Sequence, residues 1–239
     1  MSALLGPGAT PVPAARARRL RTLQVTLAAL VLLLLWDLSG LDRAAMHWVG
    51  DASGFAWRDR LLTSRVLHDG GRVLGWVVVA LLLVNVWRPL WPGPSRGERV
   101  RWLLVTLACV LAVPSLKWIS ATSCPWDLAE FGGVARYVSH WAPGGDGGPG
   151  RCFPSGHATV AFGFIGGWFV LRPHHPRAAV LWLAGVLLAG LVFGGAQYLR
   201  GAHYPSHTMW SAWLCWALSA LLLARRATAP TVTASDRTD

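Results

Sequence analysis

The sequence predicts an all-α, polytopic membrane protein with six transmembrane helices. Its 239 residues have a mean hydropathy of +0.42, and 54% of them are hydrophobic. Several apolar runs reach the roughly 20 residues that an α-helix needs to cross a bilayer. The 15 Trp residues also fit this class, because indole rings concentrate at the level of the lipid headgroups.

Six apolar runs are the candidate spans, and they lie between two Pro-, Ala- or Arg-containing tails that we expect to be disordered. The predicted organisation is therefore a tail over 1–19, a membrane domain over 20–224 and a second tail over 225–239. The six spans run at about 20–38, 72–91, 100–119, 154–171, 178–198 and 205–223.

The distribution of basic residues predicts the orientation. Thirteen of the 22 Lys and Arg residues fall on the side that carries both termini, and nine fall on the other side. Because Lys and Arg concentrate in cytoplasmic loops, we expect both termini in the cytoplasm and the protein in the bacterial inner membrane. The net charge of +11 does not indicate nucleic-acid binding, because the basic residues flank apolar runs and form no stripe.

Three segments on the outer, periplasmic side carry residues suited to chemistry on an anion. The first is Lys117 with the Cys-Pro-Trp-Asp sequence at 124–127, the second is Pro-Ser-Gly-His at 154–157, and the third covers 200–207. Each feature alone is weak, since a single cation or histidine at a helix end is usually an interfacial anchor. Their convergence at one membrane face predicts an active site there.

The residue types in these segments suit an oxyanion such as phosphate. Lys117 supplies a compact positive charge, and Arg200 offers a planar two-point contact with phosphate oxygens. Ser155 and Gly156 lie where a helix is predicted to begin, and free backbone N–H groups at such a point favour an anion. Of two outer imidazoles, one can attack phosphorus while the other protonates the departing oxygen.

In these motifs the chain resembles the type 2 phosphatidic acid phosphatase (PAP2) superfamily of integral-membrane lipid phosphatases. The family pattern is Lys-x6-Arg-Pro, then Pro-Ser-Gly-His, then Ser-Arg-x5-His-x3-Asp, and the six-span layout extends the resemblance to nearly the whole chain. The resemblance implies that His203 is the nucleophile and His157 the general acid. It also implies that Lys117, Ser155 and Gly156 bind phosphate.

The first and third motifs depart from the family pattern. Cys124 replaces the first-motif Arg, Ala196-Gln197 replaces Ser-Arg, and His207 replaces the final Asp. Arg200 lies about one helical turn beyond Gln197, so it is the candidate for the missing third-motif Arg. Arg151, just before the second motif, is the candidate for the first-motif Arg.

The missing Asp leaves the orientation of His203 to other residues. His207, one turn along, can hold an imidazole by a hydrogen bond, but it does not stabilise the resulting cation as an Asp does. Asp127 and Glu130, in the neighbouring outer loop, are the candidate sources of that negative charge.

The four cysteines divide into two pairs. Cys109 and Cys215 fall inside spans, and we expect them to be inert packing residues. Cys124 and Cys152 fall in the outer loop, in an oxidising compartment, so we predict a disulfide between them, with two free thiols as the alternative. The Gly-rich residues 144–150 are expected to form a flexible linker inside the loop that this disulfide closes.

No cofactor or metal is predicted, because the outer histidines lack the close Cys, His and carboxylate spacing of a zinc site. The resemblance implies hydrolysis of a phosphomonoester or pyrophosphate of a membrane lipid through a phosphohistidine. Undecaprenyl pyrophosphate, phosphatidate, phosphatidylglycerol phosphate and lipid A are all candidate substrates. Two alternatives stay open: a lipid-to-lipid phosphotransferase that uses the same site, and a non-catalytic lipid-binding or transport protein of the same fold. The oligomeric state is not predicted.

Overall fold

The computed structural model describes residues 12–224, and within this range the chain is helical, with isolated bridges and no β-strand. Both predicted tails lie partly or wholly outside the described residues. The described part of the N-terminal tail differs from the expectation, because the first helix already begins at Val12. In order, the α-helices are α1 (Val12–Ser39), α2 (Leu41–Met46), α3 (Gly70–Trp87), α4 (Arg96–Ile119), α5 (Thr159–Phe162), α6 (Gly166–Leu171), α7 (Pro176–Leu199) and α8 (Pro205–Leu223).

Shorter helical elements lie at the end of the bundle that carries the three motifs and that the sequence predicts to be the outer end. A π-helix, Leu62–Asp69, runs directly into α3, and two 3-10 turns, Pro125–Asp127 and Ala129–Phe131, follow α4. The residues between α1 and α3 therefore form α2, a run of turns and the π-helix. They cover the outer ends of the longer helices.

Within residues 12–224, four helical segments are long and apolar enough to cross a membrane: Arg16–Ser39, Leu62–Trp87, Arg96–Ile119 and Pro176–Leu199. They correspond to the first, second, third and fifth predicted spans. Large apolar side chains stay exposed along them, including Leu32 and Leu35 of α1 and Leu181 and Leu188 of α7. Apolar surface of this extent requires a nonpolar surrounding, so the chain is a multi-pass membrane protein.

The other two predicted spans have different forms. The fourth becomes helical only at Thr159 and is divided by a turn into α5 and α6. Close packing accompanies this break, because a Cβ at Gly167 would collide with the rings of Trp102 and Trp182. The sixth is α8, a continuous helix of 19 residues that is less apolar than the four long segments.

The bundle core lies between α4, α5, α6, α7 and α8. Trp102 and Val113 of α4 are fully buried, and they belong to one cluster with Phe162, Ile165 and other apolar residues of α5 and α6. Cys109 and Cys215 are buried in this cluster with free thiols, as expected for packing residues. This core fixes α4, α7 and α8 against each other below the outer ends where the motifs lie.

The start of α8 is fixed by residues from the chain between α1 and α3. Asp42 of α2 accepts a hydrogen bond from the backbone N–H of Ser206 at 3.0 Å and another from Trp36 Nε1 at 2.8 Å. This carboxylate therefore satisfies a free N–H group in the first turn of α8 that the N-cap residue does not satisfy. Tyr198 at the end of α7 donates to the carbonyl of Ala45 at 2.7 Å, so α2 holds both helices that flank the third motif.

Candidate active site

The loop between α7 and α8 carries His203 and is held by backbone hydrogen bonds. The N–H groups of Ala202 and His203 donate to the carbonyl of Gln197 at 2.9 and 3.4 Å, and Trp126 N–H donates to Gly201 at 2.9 Å. Gly201 adopts φ +70°, and a Cβ there would collide with the Phe55 ring, so the turn requires glycine. The loop thereby joins the first and third motifs.

The second motif is fastened to α8 and lies against Lys117. Ser155 N–H donates to the carbonyl of His207 at 3.1 Å, and Ser211 Oγ donates to the carbonyl of Ser155 at 2.7 Å. A Cβ at Gly156 would lie 3.8 Å from Lys117 Cδ, so the absence of a side chain lets the Lys117 stem approach this backbone. The structure thus brings the three motif segments together at one end of the bundle.

The backbone donors of the second motif differ from the sequence expectation. Ser155 is buried, and its N–H is already paired with His207, so it is not free to bind an anion. The N–H groups of Gly156 and His157 donate to no acceptor among the described residues. These two groups, rather than that of Ser155, are therefore the donors suited to an oxyanion, and the Lys117 stem packs near Gly156.

His203 is buried, with only 2% of its surface exposed, and its ring Nδ1 faces His207 and Cys152. Nδ1 lies 3.4 Å from His207 Nδ1 and 3.5 Å from Cys152 Sγ. Burial, and next the positive charge of Lys117, hold the pKa of His203 well below its ordinary value of 6.5. The ring is therefore neutral at neutral pH, and its Nε2 keeps a lone pair that can attack an electrophile.

His157 precedes α5 and faces a strongly positive field. Burial first, and then the positive charges of His68, Lys117, Arg72 and Arg200, lower the pKa of His157 to about 3. Its Nε2 is buried with no hydrogen-bond partner among the described residues. An anion bound beside this ring counters the positive charges and raises its pKa, so protonation of His157 is coupled to anion binding.

The two arginines proposed as replacements take different positions. Arg200 donates from Nη1 to Gln197 Oε1 at 3.4 Å and from Nε to the carbonyl of Arg58 at 2.8 Å, so it does lie beside the residue that replaces the family Arg. Arg151 adopts φ +58° and stacks its guanidinium on the Trp118 ring at 3.8 Å. The side chain of Arg151 therefore contacts Trp118, and not His157 or His203.

The carboxylates expected to orient His203 are engaged elsewhere. Asp127 accepts a hydrogen bond from the backbone N–H of Cys124 at 3.2 Å and closes a 3-10 turn. Glu130 pairs with Arg43 at 2.9 Å and with His47 at 3.1 Å. Neither carboxylate bonds to His203. Asp127 and Glu130 therefore make their direct contacts with a local turn and with surface cations, and a contribution of their charge to His203 stays a prediction.

Cys124 and Cys152 are joined as a disulfide, with Sγ atoms 2.05 Å apart and Cα atoms 5.1 Å apart. The bridge connects the loop after α4 to the chain just before the second motif.

The Gly-rich residues 144–150 were expected to be flexible, but hydrogen bonds of one residue within the segment hold it to the preceding loop. Asp146 is buried and accepts hydrogen bonds from the N–H and Oγ of Ser123 at 2.6 and 2.7 Å.

Cys152, His203 and His207 also form the one group in the described residues whose ligand atoms lie close enough for a metal, all within 4.8 Å of each other. The sulfur of Cys152 belongs to the disulfide and supplies no thiolate. The set therefore reduces to two imidazoles, one fewer than the three protein ligands usual for catalytic zinc.

Two residues near the site carried no motif signal. The His68 ring stacks on the His157 ring, with centroids 3.7 Å apart and planes at 26°, and its Nδ1 lies 2.9 Å from Asp69 Oδ1. Arg72, in the first turn of α3, adds to the positive field on His157. The π-helix that presents His68 was not visible in the residue pattern, although such helices are frequent at functional sites.

A family model described as the PAP2 superfamily matches residues 99–229, which is more than half of the chain. The matched region contains all three motif segments and leaves α1, α2, α3 and the π-helix outside. No significant match was found among curated proteins or among solved structures.

The contact between His68 and His157 leads to a prediction on catalytic positioning. We expect His68→Ala to lower kcat for hydrolysis of a phosphomonoester by about tenfold to a hundredfold, with a smaller change in KM, because a loosened His157 loses its alignment. His68→Phe retains a stacked ring and should keep most of the activity. Steady-state kinetics of the purified variants measure both, and equal losses in the two variants would contradict a stacking role.

Proposed function

The chain belongs to the PAP2 superfamily, and we propose that it is a membrane lipid phosphatase that forms a phosphohistidine at His203. The observation that carries this proposal is the state of the His203 ring. The ring is buried and neutral, Nδ1 faces His207 and the disulfide, and Nε2 is left for attack. A non-catalytic lipid-binding protein has no need of a buried, unprotonated imidazole beside a lysine.

The proposed first step is transfer of the phosphoryl group from the lipid to the protein. Lys117 and the N–H groups of Gly156 and His157 hold the phosphate oxygens, and Arg200 adds charge from the rim. His203 Nε2 attacks phosphorus, and the bond to the leaving oxygen breaks as His157 donates its proton to that oxygen. Negative charge gathers on the equatorial oxygens, so fixed cations and N–H dipoles stabilise the transition state.

The second step releases phosphate and regenerates the enzyme. His157, now neutral, takes a proton from a water molecule as that water attacks phosphorus, and the bond from phosphorus to His203 breaks. If a second lipid takes the place of water, the same site is a phosphotransferase. The acceptor that consumes the phosphohistidine therefore distinguishes the two activities, and the non-catalytic alternative predicts neither.

An apolar groove beside the site supports a lipid as substrate. A cavity of about 280 Å³ lies between α3, α5 and α7, and its lining includes Val160, Phe164, Leu74, Gly185 and Phe193. Val160 is three residues after His157, so the groove begins next to the general acid and continues along the membrane-facing surface. We propose that a hydrocarbon chain lies in this groove while its phosphate binds beside His157.

The proposal includes the six-span topology, with α5 and α6 together and α8 as the two remaining spans. Both termini are then cytoplasmic, and the active site faces the periplasm of a bacterial inner membrane. The proposed substrate class is a phosphomonoester or pyrophosphate of a lipid, with undecaprenyl pyrophosphate, phosphatidate, phosphatidylglycerol phosphate and lipid A as the set to test.

Release of inorganic phosphate by the purified protein tests the function on this set of lipids. We expect release from at least one of them, and we expect His203→Ala to reduce it to the uncatalysed level because no other group attacks phosphorus. His47→Ala is the matched control, since it removes an outer imidazole that pairs with Glu130 and lies outside the motifs. Wild-type rates in His203→Ala would exclude the mechanism.

The groove leads to a prediction on chain-length selectivity. Gly185 lines the groove and has open space where a Cβ would lie, so we expect Gly185→Leu to fold and to occupy the groove. KM for a long-chain substrate should rise about tenfold, since losing about two buried methylenes costs about 1.6 kcal/mol. The increase should shrink as the substrate chain is shortened.

Gly195→Leu is the control for the same helix, because Gly195 also has open space at its Cβ and does not line the groove. It should leave KM for the long-chain substrate unchanged. Equal effects of the two substitutions, or an increase in KM that does not depend on chain length, would contradict binding of the lipid chain in the groove.

A further inference from the structure

A buried carboxylate lies near the site and belongs to none of the three motifs. Asp37 is at the outer end of α1, and only 3% of its side chain is exposed. Its Oδ2 accepts hydrogen bonds from Trp210 Nε1 at 2.9 Å and Trp141 Nε1 at 3.0 Å, and lies 3.2 Å from His140 Nε2. Three donors on one oxygen hold the carboxylate in one orientation, while its other oxygen, Oδ1, is buried with no hydrogen-bond partner among the described residues.

His140 connects this carboxylate to the active site. Its ring stacks on Phe153, with centroids 4.1 Å apart, and meets the His207 ring edge-on at 5.9 Å between centroids. His207 is fully buried, and its Nε2 has no hydrogen-bond partner among the residues that the structure describes. On its other side, His207 Nδ1 lies 3.4 Å from His203 Nδ1.

Attack by His203 requires that Nε2 carries no proton. This requirement determines which nitrogen is protonated on His203 and, in turn, on His207. A lone pair on His203 Nε2 requires the proton on Nδ1, which can then be donated to His207 Nδ1. His207 then carries its proton on Nε2, the buried nitrogen without a partner. His140 donates from Nε2 to Asp37, so its Nδ1 is an acceptor. In this assignment His203 donates to His207 and His140 donates to Asp37, while His207 and His140 meet through an edge-on ring contact with no hydrogen bond between them.

We propose that Asp37, acting through His140 and His207, orients His203 and supplies the negative charge that stabilises it as it becomes a cationic phosphohistidine. This assignment rests on the proposed function and deepens it. The family pattern has a single Asp at the position of His207, and here the series of rings takes its place. Asp37, His140 and His207 are positioning residues. In the attack step, the polarised Nδ1–H bond of His203 strengthens toward His207, and no proton leaves the series.

Asp42 is the second buried carboxylate of this region, and its role is structural. Asp42 accepts hydrogen bonds from Ser206 N–H and Trp36 Nε1, and it bonds to no imidazole. It therefore caps α8 and leaves Asp37 as the one buried acid in the described range that is joined to the histidine series. A test of Asp37 must separate such a structural role from the electrostatic role.

His140→Phe is the primary variant, because it keeps an aromatic ring against Phe153 and removes both nitrogens. We expect kcat to fall about tenfold or more, with KM and thermal midpoint close to wild type, because binding of the ground state does not involve the series. Trp141→Phe is the matched control, since it removes another donor to the same Asp37 oxygen outside the series. Wild-type kcat in His140→Phe would overturn the proposal.

A double-mutant cycle tests whether Asp37 and His140 act in series. Asp37→Asn and His140→Phe should each lower kcat, and the double variant should lose no more than the larger single loss. Multiplicative losses, or a loss of kcat in Trp141→Phe as large as in His140→Phe, would also overturn it. If His203→Ala is inactive while both Asp37 and His140 variants keep wild-type kcat, the series is excluded and the phosphatase mechanism is not affected.

Discussion

Transfer of an imidazole from water into a protein interior destabilises its protonated form and so lowers its pKa. A fixed cation nearby lowers the pKa further. His203 is subject to both conditions, since it is buried at the outer end of the bundle and Lys117 lies beside it. Much of the surrounding structure maintains this burial. The disulfide through Cys152 covers one side, and the hydrogen bonds of Gln197 and Gly201 hold the loop that carries the ring. In the proposed mechanism the positive field attracts the phosphate, and the neutral His203 ring attacks it.

The positive field around His157 and His203 gives these two histidines different roles in the proposed reaction. In the free site it keeps His157 deprotonated, with a pKa of about 3, and a bound phosphate offsets the positive charges that cause this. In the proposed mechanism, binding of the substrate phosphate therefore raises the pKa of His157, so that the ring is protonated when a lipid is there to receive the proton. The departures from the family pattern fit this scheme. A disulfide occupies the position of one Arg, and a buried series of rings that ends at Asp37 occupies the position of the Asp.

Much of the fold and the centre of the site could be predicted from the sequence. Hydropathy predicted six spans, four of which are long apolar helices in the structure, and three short motifs predicted that Lys117, Gly156 and His203 come together. The rest depends on tertiary contacts that no local pattern records. Asp37 meets His140 across about a hundred residues, and the stacking of His68 on His157 depends on a π-helix that periodicity does not distinguish from an α-helix. The position of Arg151 before the second motif suited a phosphate contact, but its guanidinium stacks on the ring of Trp118 instead.

The central claim is a covalent phosphorus–nitrogen bond at His203, and trapping that bond is its most direct test. Purified protein mixed briefly with a substrate labelled on its phosphate and quenched in alkali should carry label that is stable to base and released by acid, as expected for a phosphohistidine. Peptide mapping should find the label on His203, and His157→Ala, which lacks the group that activates water, should retain the label longer if it still forms. Turnover with label on another residue, or with none bound to the protein at any time, would contradict the account.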